Sequence, residues 1–266
     1  MESLTTMALN RRKALTMIAV TVAGGTMLPQ RLFAQTADAS LLIPGADVCV
    51  LVPEVTEGPY YFDPTLVRTD ITEGREGLPL TVRLQVVDAA CKPVENARVD
   101  IWHCDAAGLY SGYANQTGGV DTTGATFLRG TQFTDSIGLV NFASIYPGWY
   151  QGRTTHIHFK VFLDETNVLT GQIFFPEDLN DTVYATVPAY ARTTTRDMLN
   201  ANDGIARQAG TASIATVAQE ATQYVAALIV GIDPTAVSAN FGMGAGGLPP
   251  GGFGGTPPGA PRAPSM

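Results

Sequence analysis

Apolar and polar residues alternate in several short segments of this chain, and turn residues separate the segments. Residues 81–87 (Thr-Val-Arg-Leu-Gln-Val-Val) alternate in the way expected of a half-buried strand, whose successive side chains point to opposite faces. Similar segments follow at short spacing: 97–103, 127–134, 138–145, 155–163 and 171–175. Repeated strands without intervening helices predict an all-β fold, an antiparallel sandwich or barrel with irregular loops and short helices.

The last third of the chain gives weaker patterns. Residues 186–208 predict mainly short helices and loops, and within them residues 198–207, which carry little apolar periodicity, are expected to cover the surface. The apolar run 224–232 fits either a last strand or the end of a buried helix, and its periodicity does not distinguish the two. Glycine and proline dominate from Ser238 onward, so residues 238–266 are expected to form a disordered tail.

The first 35 residues have the pattern of an export signal. A basic stretch at 10–13 precedes an apolar run at 14–22, and Leu-Phe-Ala-Gln at 32–35 offers a cleavage region. The run is too short to predict a membrane span. The arginine pair matches a twin-arginine signal only in part, and the alternative is a basic, disordered N-terminus. We therefore expect an exported protein, periplasmic or extracellular, whose folded domain spans residues 36–237.

Charge and cysteine content narrow the class of protein. The net charge of −8 argues against a nucleic-acid partner or an anionic membrane surface. Three cysteines suit an oxidising compartment with one disulfide and one thiol, although three reduced thiols remain an alternative. Cys91 and Cys104 would be roughly 20 Å apart across an extended strand if the segment rises about 3.3 Å per residue. The preferred pair is therefore Cys49–Cys91.

Two of the three histidines, His156 and His158, lie two residues apart in a predicted strand. Residues at that spacing share one face, about 6.5–7 Å apart, so both imidazoles can reach one metal ion. Tyr110 and Tyr150 follow turn signals, and few carboxylates lie near His156. Carboxylates are the ligands expected for divalent Mg²⁺, Ca²⁺ or Fe²⁺, whereas phenolates suit a trivalent ion.

These residues belong to an ordered set of motifs that resembles the intradiol ring-cleavage dioxygenases, which open catechols with non-haem ferric iron. The motifs are Thr-Glu-Gly-Pro-Tyr-Tyr (56–61), Val-Asp-Ile-Trp-His (99–103), Gly-Leu-Tyr-Ser (108–111), Thr-Asp-Ser-Ile-Gly (134–138), Tyr-Pro-Gly-Trp-Tyr (146–150) and His-Ile-His-Phe (156–159). The resemblance extends from about residue 52 to residue 233. It implies a prealbumin-like β-sandwich with the metal at one edge.

The resemblance also implies roles for single residues. The Fe³⁺ ligands would be Tyr110, Tyr150, His156 and His158, and Tyr150 would also accept a proton from the substrate. Arg153 would support negative charge that develops on the substrate.

Further residues carry weaker assignments. Gln172 would lie behind the ligands near the pocket, and the segment Gly58, Pro59 and Tyr60 would line the substrate mouth. His103 falls outside the ligand set and is interpreted as a packed histidine.

A catechol and dioxygen would be the reactants and a muconate-type diacid the product. We expect this chain to lack a counterpart of the helical dimerisation region of the cytoplasmic family members, and homo-oligomer formation and the ring substituents of the substrate stay open. Two other functions also remain open. One is a non-catalytic transthyretin-like binding module, and the other is a secreted zinc or copper enzyme that uses the histidine pair.

Overall fold

The computed structural model describes residues 49–63, 65–220 and 222–239. Within these ranges, eight strands form two four-stranded sheets, in the orders β4-β1-β8-β7 and β3-β2-β5-β6. The strands are β1 Pro79–Val87, β2 Arg98–Trp102, β3 Arg129–Phe133, β4 Leu139–Ile145, β5 His156–Leu163, β6 Thr166–Phe174, β7 Thr216–Glu220 and β8 Gln223–Gly231. The helices are α1 Glu177–Thr186 and α2 Gly204–Ala209, and short 3₁₀ turns lie at Thr117–Gly119, Pro188–Tyr190 and Thr211–Ser213.

The core lies between the two sheets, as the alternating pattern predicts. Val82 and Leu84 of β1 are fully buried and belong to the same apolar cluster as Ile101 of β2 and Phe159 of β5. The predicted β-sandwich is therefore confirmed. One pair departs from the antiparallel arrangement, because β1 and β8 run parallel with Leu80 opposite Tyr224.

The strand interpretation of residues 224–232 is the correct one, since this run forms β8. Two elements were not predicted from the sequence. Strand β7 is a mostly exposed sheet-edge strand of sequence Thr-Val-Ala-Gln-Glu, so it carries almost no apolar alternation. Helix α1 begins after Pro176 without a side-chain cap and buries only Asn180 and Val183. It therefore lacks both a capping residue and a periodic apolar face, the two sequence signals of a helix.

Cys49 and Cys91 form a disulfide, as predicted, and Cys104 is a buried free thiol. The bond holds the start of the described chain against the loop after β1, where the backbone N–H of Cys49 donates to the carbonyl of Ala89. Val52 continues this attachment, because its N–H donates to the carbonyl of Gly231 at the end of β8.

The two predicted terminal segments fall mainly outside the described residues: all of the export signal at 1–35, and residues 240–266 of the Gly/Pro-rich tail. Ser238, the first residue of the predicted tail, is buried. Its N–H donates to the carbonyl of Asn167, and its hydroxyl lies 3.0 Å from that of Thr170. Ser238 is thus packed on the sandwich. None of the helices in the described part of the chain has the length and apolar character needed to cross a bilayer.

Candidate metal centre

Strand β5 lies between β2 and β6 in its sheet, and the histidine pair lies at the N-terminal end of β5. His158 lies opposite Trp102 of β2 and opposite Gln172 of β6. Both imidazoles of the pair are buried, and the Nε2 atoms of His156 and His158 are 3.1 Å apart. Nδ1 of His156 lies 2.6 Å from the carbonyl oxygen of Thr154 and must donate to it, which leaves the Nε2 lone pair free to accept or to bind a cation.

Two tyrosines from separate loops reach the same point. The hydroxyl oxygens of Tyr110 and Tyr150 lie 3.2 Å and 3.1 Å from Nε2 of His156. Gly108 allows the two loops to meet: it has a φ of +82°, and a Cβ there would lie 2.4 Å from the carbonyl oxygen of Trp149. The structure therefore brings all four expected ligands, the two tyrosines and the two histidines, into one cluster, called the donor cluster below.

The donor cluster fits a metal ion better than it fits a network of hydrogen bonds. Four polar atoms, from Tyr110, Tyr150, Arg153 and His158, lie within 3.4 Å of the single lone pair on Nε2 of His156. One lone pair accepts one good hydrogen bond, so the others would compete for it. Two donors that each lie about 2.1 Å from one ion are about 3–3.5 Å apart, and the separations of 3.1–3.2 Å agree with this range.

Burial sets the protonation states of the donor cluster. It lowers the pKa of His156 and His158 well below 6.5, and the nearby charge of Arg153 acts in the same direction, so both imidazoles stay neutral and able to bind a cation. Burial raises the pKa of Tyr150 to about 12 and that of Tyr110 well above 10. The phenols would therefore ionise only beside a strong Lewis acid.

The chemical types of the donors also restrict the metal. Among the described residues, His, Cys, Asp and Glu form no cluster of three or more that could hold an ion, so the tyrosines are needed to complete this site. Structural zinc sites use sulfur and imidazole ligands, and calcium or magnesium sites use carboxylates. Two imidazoles with two phenols instead suit a hard trivalent ion.

Arg153 reaches the donor cluster with one nitrogen and is anchored by the other two. Its Nη1 lies 3.4 Å from Nε2 of His156, its Nη2 donates to Oε1 of Gln172 at 2.6 Å, and its Nε donates to Asp203 at 2.8 Å. Gln172 is fully buried, and its Nε2 donates to the carbonyl of Thr56 at 2.9 Å. Gln172 therefore connects Arg153 to the segment that precedes Gly58.

The segment expected to line the mouth lies over the donor cluster. A Cβ at Gly58 would lie 3.4 Å from Cε1 of His158, so this glycine borders the ring. The ring of Tyr60 stacks on that of Tyr110 with centroids 4.2 Å apart. Pro59 is exposed between them.

The third histidine does not join the donor cluster. His103 is fully buried, its Nδ1 donates to the carbonyl of Cys104 at 2.8 Å, and the hydroxyl of Ser144 lies 2.7 Å from its Nε2. Both ring nitrogens are therefore satisfied within the core, in agreement with its interpretation as a packed histidine.

Sequence reasoning missed two residues at the site. Trp102, which entered the sequence analysis only as part of the motif at 99–103, stacks on His158 with centroids 4.8 Å apart. Asp203 lies in the segment interpreted as a surface cover, yet it is 2 % exposed and binds Arg153. The only local signal was Asp-Gly before a short helix, which indicates an N-cap and nothing about the site.

Comparison with known proteins agrees with this geometry. A sequence model of the dioxygenase family matches residues 56–216. The solved structure of an intradiol ring-cleavage dioxygenase from Tetranychus urticae superposes with a TM-score of 0.67 at 35% identity, over 72% of this chain and 98% of that chain. The chain belongs to the intradiol ring-cleavage dioxygenase family.

Curated relatives match over shorter stretches. Catechol 1,2-dioxygenase from Candida albicans is 34% identical over 126 residues, which are 39% of this chain and 40% of its own. The beta chain of protocatechuate 3,4-dioxygenase from Burkholderia cepacia is 33% identical over 141 residues, 46% of this chain and 59% of its own. The chain thus spans about half the length of these relatives.

Proposed function

We propose that this protein is an iron(III)-dependent intradiol dioxygenase. It would open a catechol between the two hydroxyl-bearing carbons and insert both atoms of dioxygen, giving a muconate-type diacid. The observation that carries the proposal is the convergence of two phenol oxygens and two imidazole nitrogens in the buried donor cluster. Family membership supports the reaction class, and the donor types support ferric iron.

Tyr110, Tyr150, His156 and His158 would hold the iron. Bound there, ferric iron would supply a Lewis acid that makes the catechol hydroxyls acidic and a redox centre that couples the substrate to dioxygen. A catechol that binds as a dianion must release two protons. Tyr150 would take one at its hydroxyl oxygen, because burial raises its pKa to about 12 and thereby favours its neutral form, and a hydroxide ion from solvent would take the other as it becomes water.

Arg153 would stabilise negative charge on the reacting substrate. Its guanidinium is permanently charged, and Nη1 faces the donor cluster while the other two nitrogens are engaged by Gln172 and Asp203. A fixed cation in a site shielded from water needs little reorganisation as charge develops during the reaction. Tyr60, stacked on Tyr110, would help to exclude water from the site.

A cavity of about 500 Å³ adjoins Tyr150, and its lining includes Trp149, Gln151, Arg192 and Asp197. Arg192 donates to the carbonyls of Trp149 and Ala106 and keeps its positive charge. We propose a catechol as the substrate class, and oxygen uptake measured with neutral and with carboxylated catechols would identify the ring substituents that the site accepts.

Metal analysis, visible spectroscopy and oxygen consumption on the purified protein test the function. We expect bound iron, a visible tyrosinate-to-iron absorption band that shifts when catechol is added, and oxygen uptake matched by diacid formation. A colourless protein that contains zinc, or a protein that contains copper in place of iron, would contradict the iron assignment. A protein that binds catechol without consuming oxygen would instead support a transthyretin-like binding module.

We also propose that the protein acts outside the cytoplasm after removal of residues 1–35. The Cys49–Cys91 disulfide supports this proposal, because such bonds persist in oxidising compartments. Fractionation of the native cells, with N-terminal sequencing of the protein recovered, tests it. A full-length protein found only in the cytoplasmic fraction would refute export.

A further inference from the structure

The orientation of Arg153 depends on a residue fifty positions later in the chain. The Nε of Arg153 donates to Oδ2 of Asp203 at 2.8 Å, and Nη2 donates to Gln172 at 2.6 Å. With two nitrogens fixed by two different partners, the planar guanidinium has one orientation left. That orientation directs Nη1 to the donor cluster, 3.4 Å from Nε2 of His156.

Asp203 also fixes the backbone next to Arg153. Its Oδ2 accepts a second bond, from the N–H of Thr154 at 3.0 Å. Its Oδ1 accepts from Ile205 at 2.8 Å and from Ala206 at 3.2 Å, which caps helix α2. One carboxylate thus joins α2 to the residues that precede β5, with a separate oxygen for each task.

Electrostatics favours this arrangement. Asp203 is 2 % exposed, and the side chain of Arg153 is 15 % exposed, so the ion pair is largely shielded from water. An isolated buried guanidinium would be costly, and among the described residues Asp203 is the carboxylate that forms a salt bridge with Arg153. Removing the carboxylate would take away both the counter-charge of Arg153 and its anchor.

We propose that Asp203 is a positioning residue that acts through Arg153, holding Nη1 towards the donor cluster while it caps α2. This inference rests on the proposed function, since part of its test is read in catechol turnover. Among the described residues, the carboxylate accepts hydrogen bonds from Arg153, Thr154, Ile205 and Ala206, and none of these is an expected ligand. Its effect should therefore appear in the rate of the reaction rather than in the binding of iron.

The experiment compares Asp203→Asn, Arg153→Met and the double variant with wild type, all loaded with iron. Positioning partners of this kind typically contribute about 10- to 100-fold to activity, so kcat of Asp203→Asn should fall by that factor with little change in KM. The double variant should be no slower than Arg153→Met alone, because the two changes remove one interaction. Iron content should stay at the wild-type value.

Two further variants separate positioning from folding. Asp203→Ser keeps a side chain that can cap α2 but removes the anion, so it should lose the same activity. Asp233→Asn is the matched control, since Oδ1 of this exposed aspartate also accepts an N–H two residues on, from Thr235 at 2.8 Å. It should leave kcat unchanged. Three results would overturn the proposal. One is full activity in Asp203→Ser, and another is loss of iron from Asp203→Asn. The third is a double variant whose kcat falls by the product of the two single-variant factors.

A crystal structure of Asp203→Asn provides a readout that does not depend on activity. The guanidinium of Arg153 should leave Gln172, and Nη1 should move away from His156. An unmoved Arg153 would overturn the positioning role even if the rate falls. A wild-type protein that does not open catechol would instead refute the proposed function, and the crystallographic comparison would still decide whether Asp203 holds Arg153.

Discussion

At the scale of single residues, the three histidines differ in what their ring nitrogens meet. Both nitrogens of His103 are engaged by core groups, Ser144 and the carbonyl of Cys104. Nε2 of His156 instead lies 3.1–3.2 Å from Nε2 of His158 and from the two phenol oxygens. Only this pair therefore has lone pairs directed at a position where an ion can sit.

Replacing His158 with alanine should abolish iron binding, because a buried ligand would be lost and no neighbouring donor could replace it. We expect iron per chain, measured by mass spectrometry of the metal, to fall to background together with turnover. His103→Gln is the matched control, as it changes the one histidine outside the donor cluster. It should keep its iron while losing about 1–3 kcal/mol of stability from disturbed buried hydrogen bonds. Equal iron loss in both variants would contradict the ligand assignment.

Gly58 is a second residue at which a single added carbon atom, a Cβ, should affect both stability and substrate binding. Its φ of +68° disfavours any side chain, and a Cβ would lie 3.4 Å from the His158 ring. Gly58→Ala should cost about 1–2 kcal/mol in urea unfolding from the backbone conformation alone, and should also raise KM for catechol. Gly74→Ala has a similar φ of +72° with open space around it, so it should lose stability with KM unchanged. If KM for catechol rises in both variants, backbone strain, and not a contact at the substrate mouth, is the cause of the rise.

At the scale of elements, the disulfide fastens the first described segment to the sandwich. It joins residues 42 positions apart, linking Cys49 at the start of the described chain to the loop that follows β1. Closing a loop of that length lowers the entropy of the unfolded chain and is worth roughly 4 kcal/mol in the chain-entropy model. The bond lies on the sheet that contains β1 and β8, whereas the histidine pair belongs to the other sheet.

Cys91→Ser should therefore destabilise the protein without emptying the metal site. We expect the free energy of unfolding to fall by about 2–4 kcal/mol, measured by urea denaturation, with iron content unchanged. Cys104→Ser is the control, because it removes a thiol that forms no disulfide. Wild-type stability in Cys91→Ser would mean that the bond does not form in the purified protein.

The elements that carry the expected ligands could be predicted because their signals are local. Strand β5 was expected at 155–163 and spans His156–Leu163, and the period of two along a strand placed both histidines on one face. Strand β7 and helix α1 were missed because their residues are largely exposed and carry little periodicity. Asp203 was missed for a different reason: its partner, Arg153, is fifty residues away, and no local pattern contains such a contact.

At the scale of the whole molecule, all three histidines are buried and neutral in the iron-free protein. Burial lowers the pKa of His103 to about 4 and moves those of His156 and His158 in the same direction. In the unfolded chain these groups titrate near 6.5. Between these values the unfolded state binds more protons than the folded state, so acid favours unfolding.

The sign of this linkage gives a testable pH dependence. A histidine whose folded pKa is depressed contributes stability above about pH 6.5 that is lost as pH falls towards its folded pKa, at about 1.4 kcal/mol per pH unit. Buried carboxylates such as Asp203 affect stability only at lower pH. Burial opposes the ionisation of Asp203, but the charge of Arg153 still holds its pKa below 3.8. The free energy of unfolding of the iron-free protein, measured in urea, should therefore fall steadily from pH 7 to pH 4.5. In His103→Gln it should fall less steeply, since one of the three titrating groups is gone. A flat profile would mean that the histidines are protonated, or reached by water, in the folded state, and imidazoles in that condition could not hold a trivalent ion.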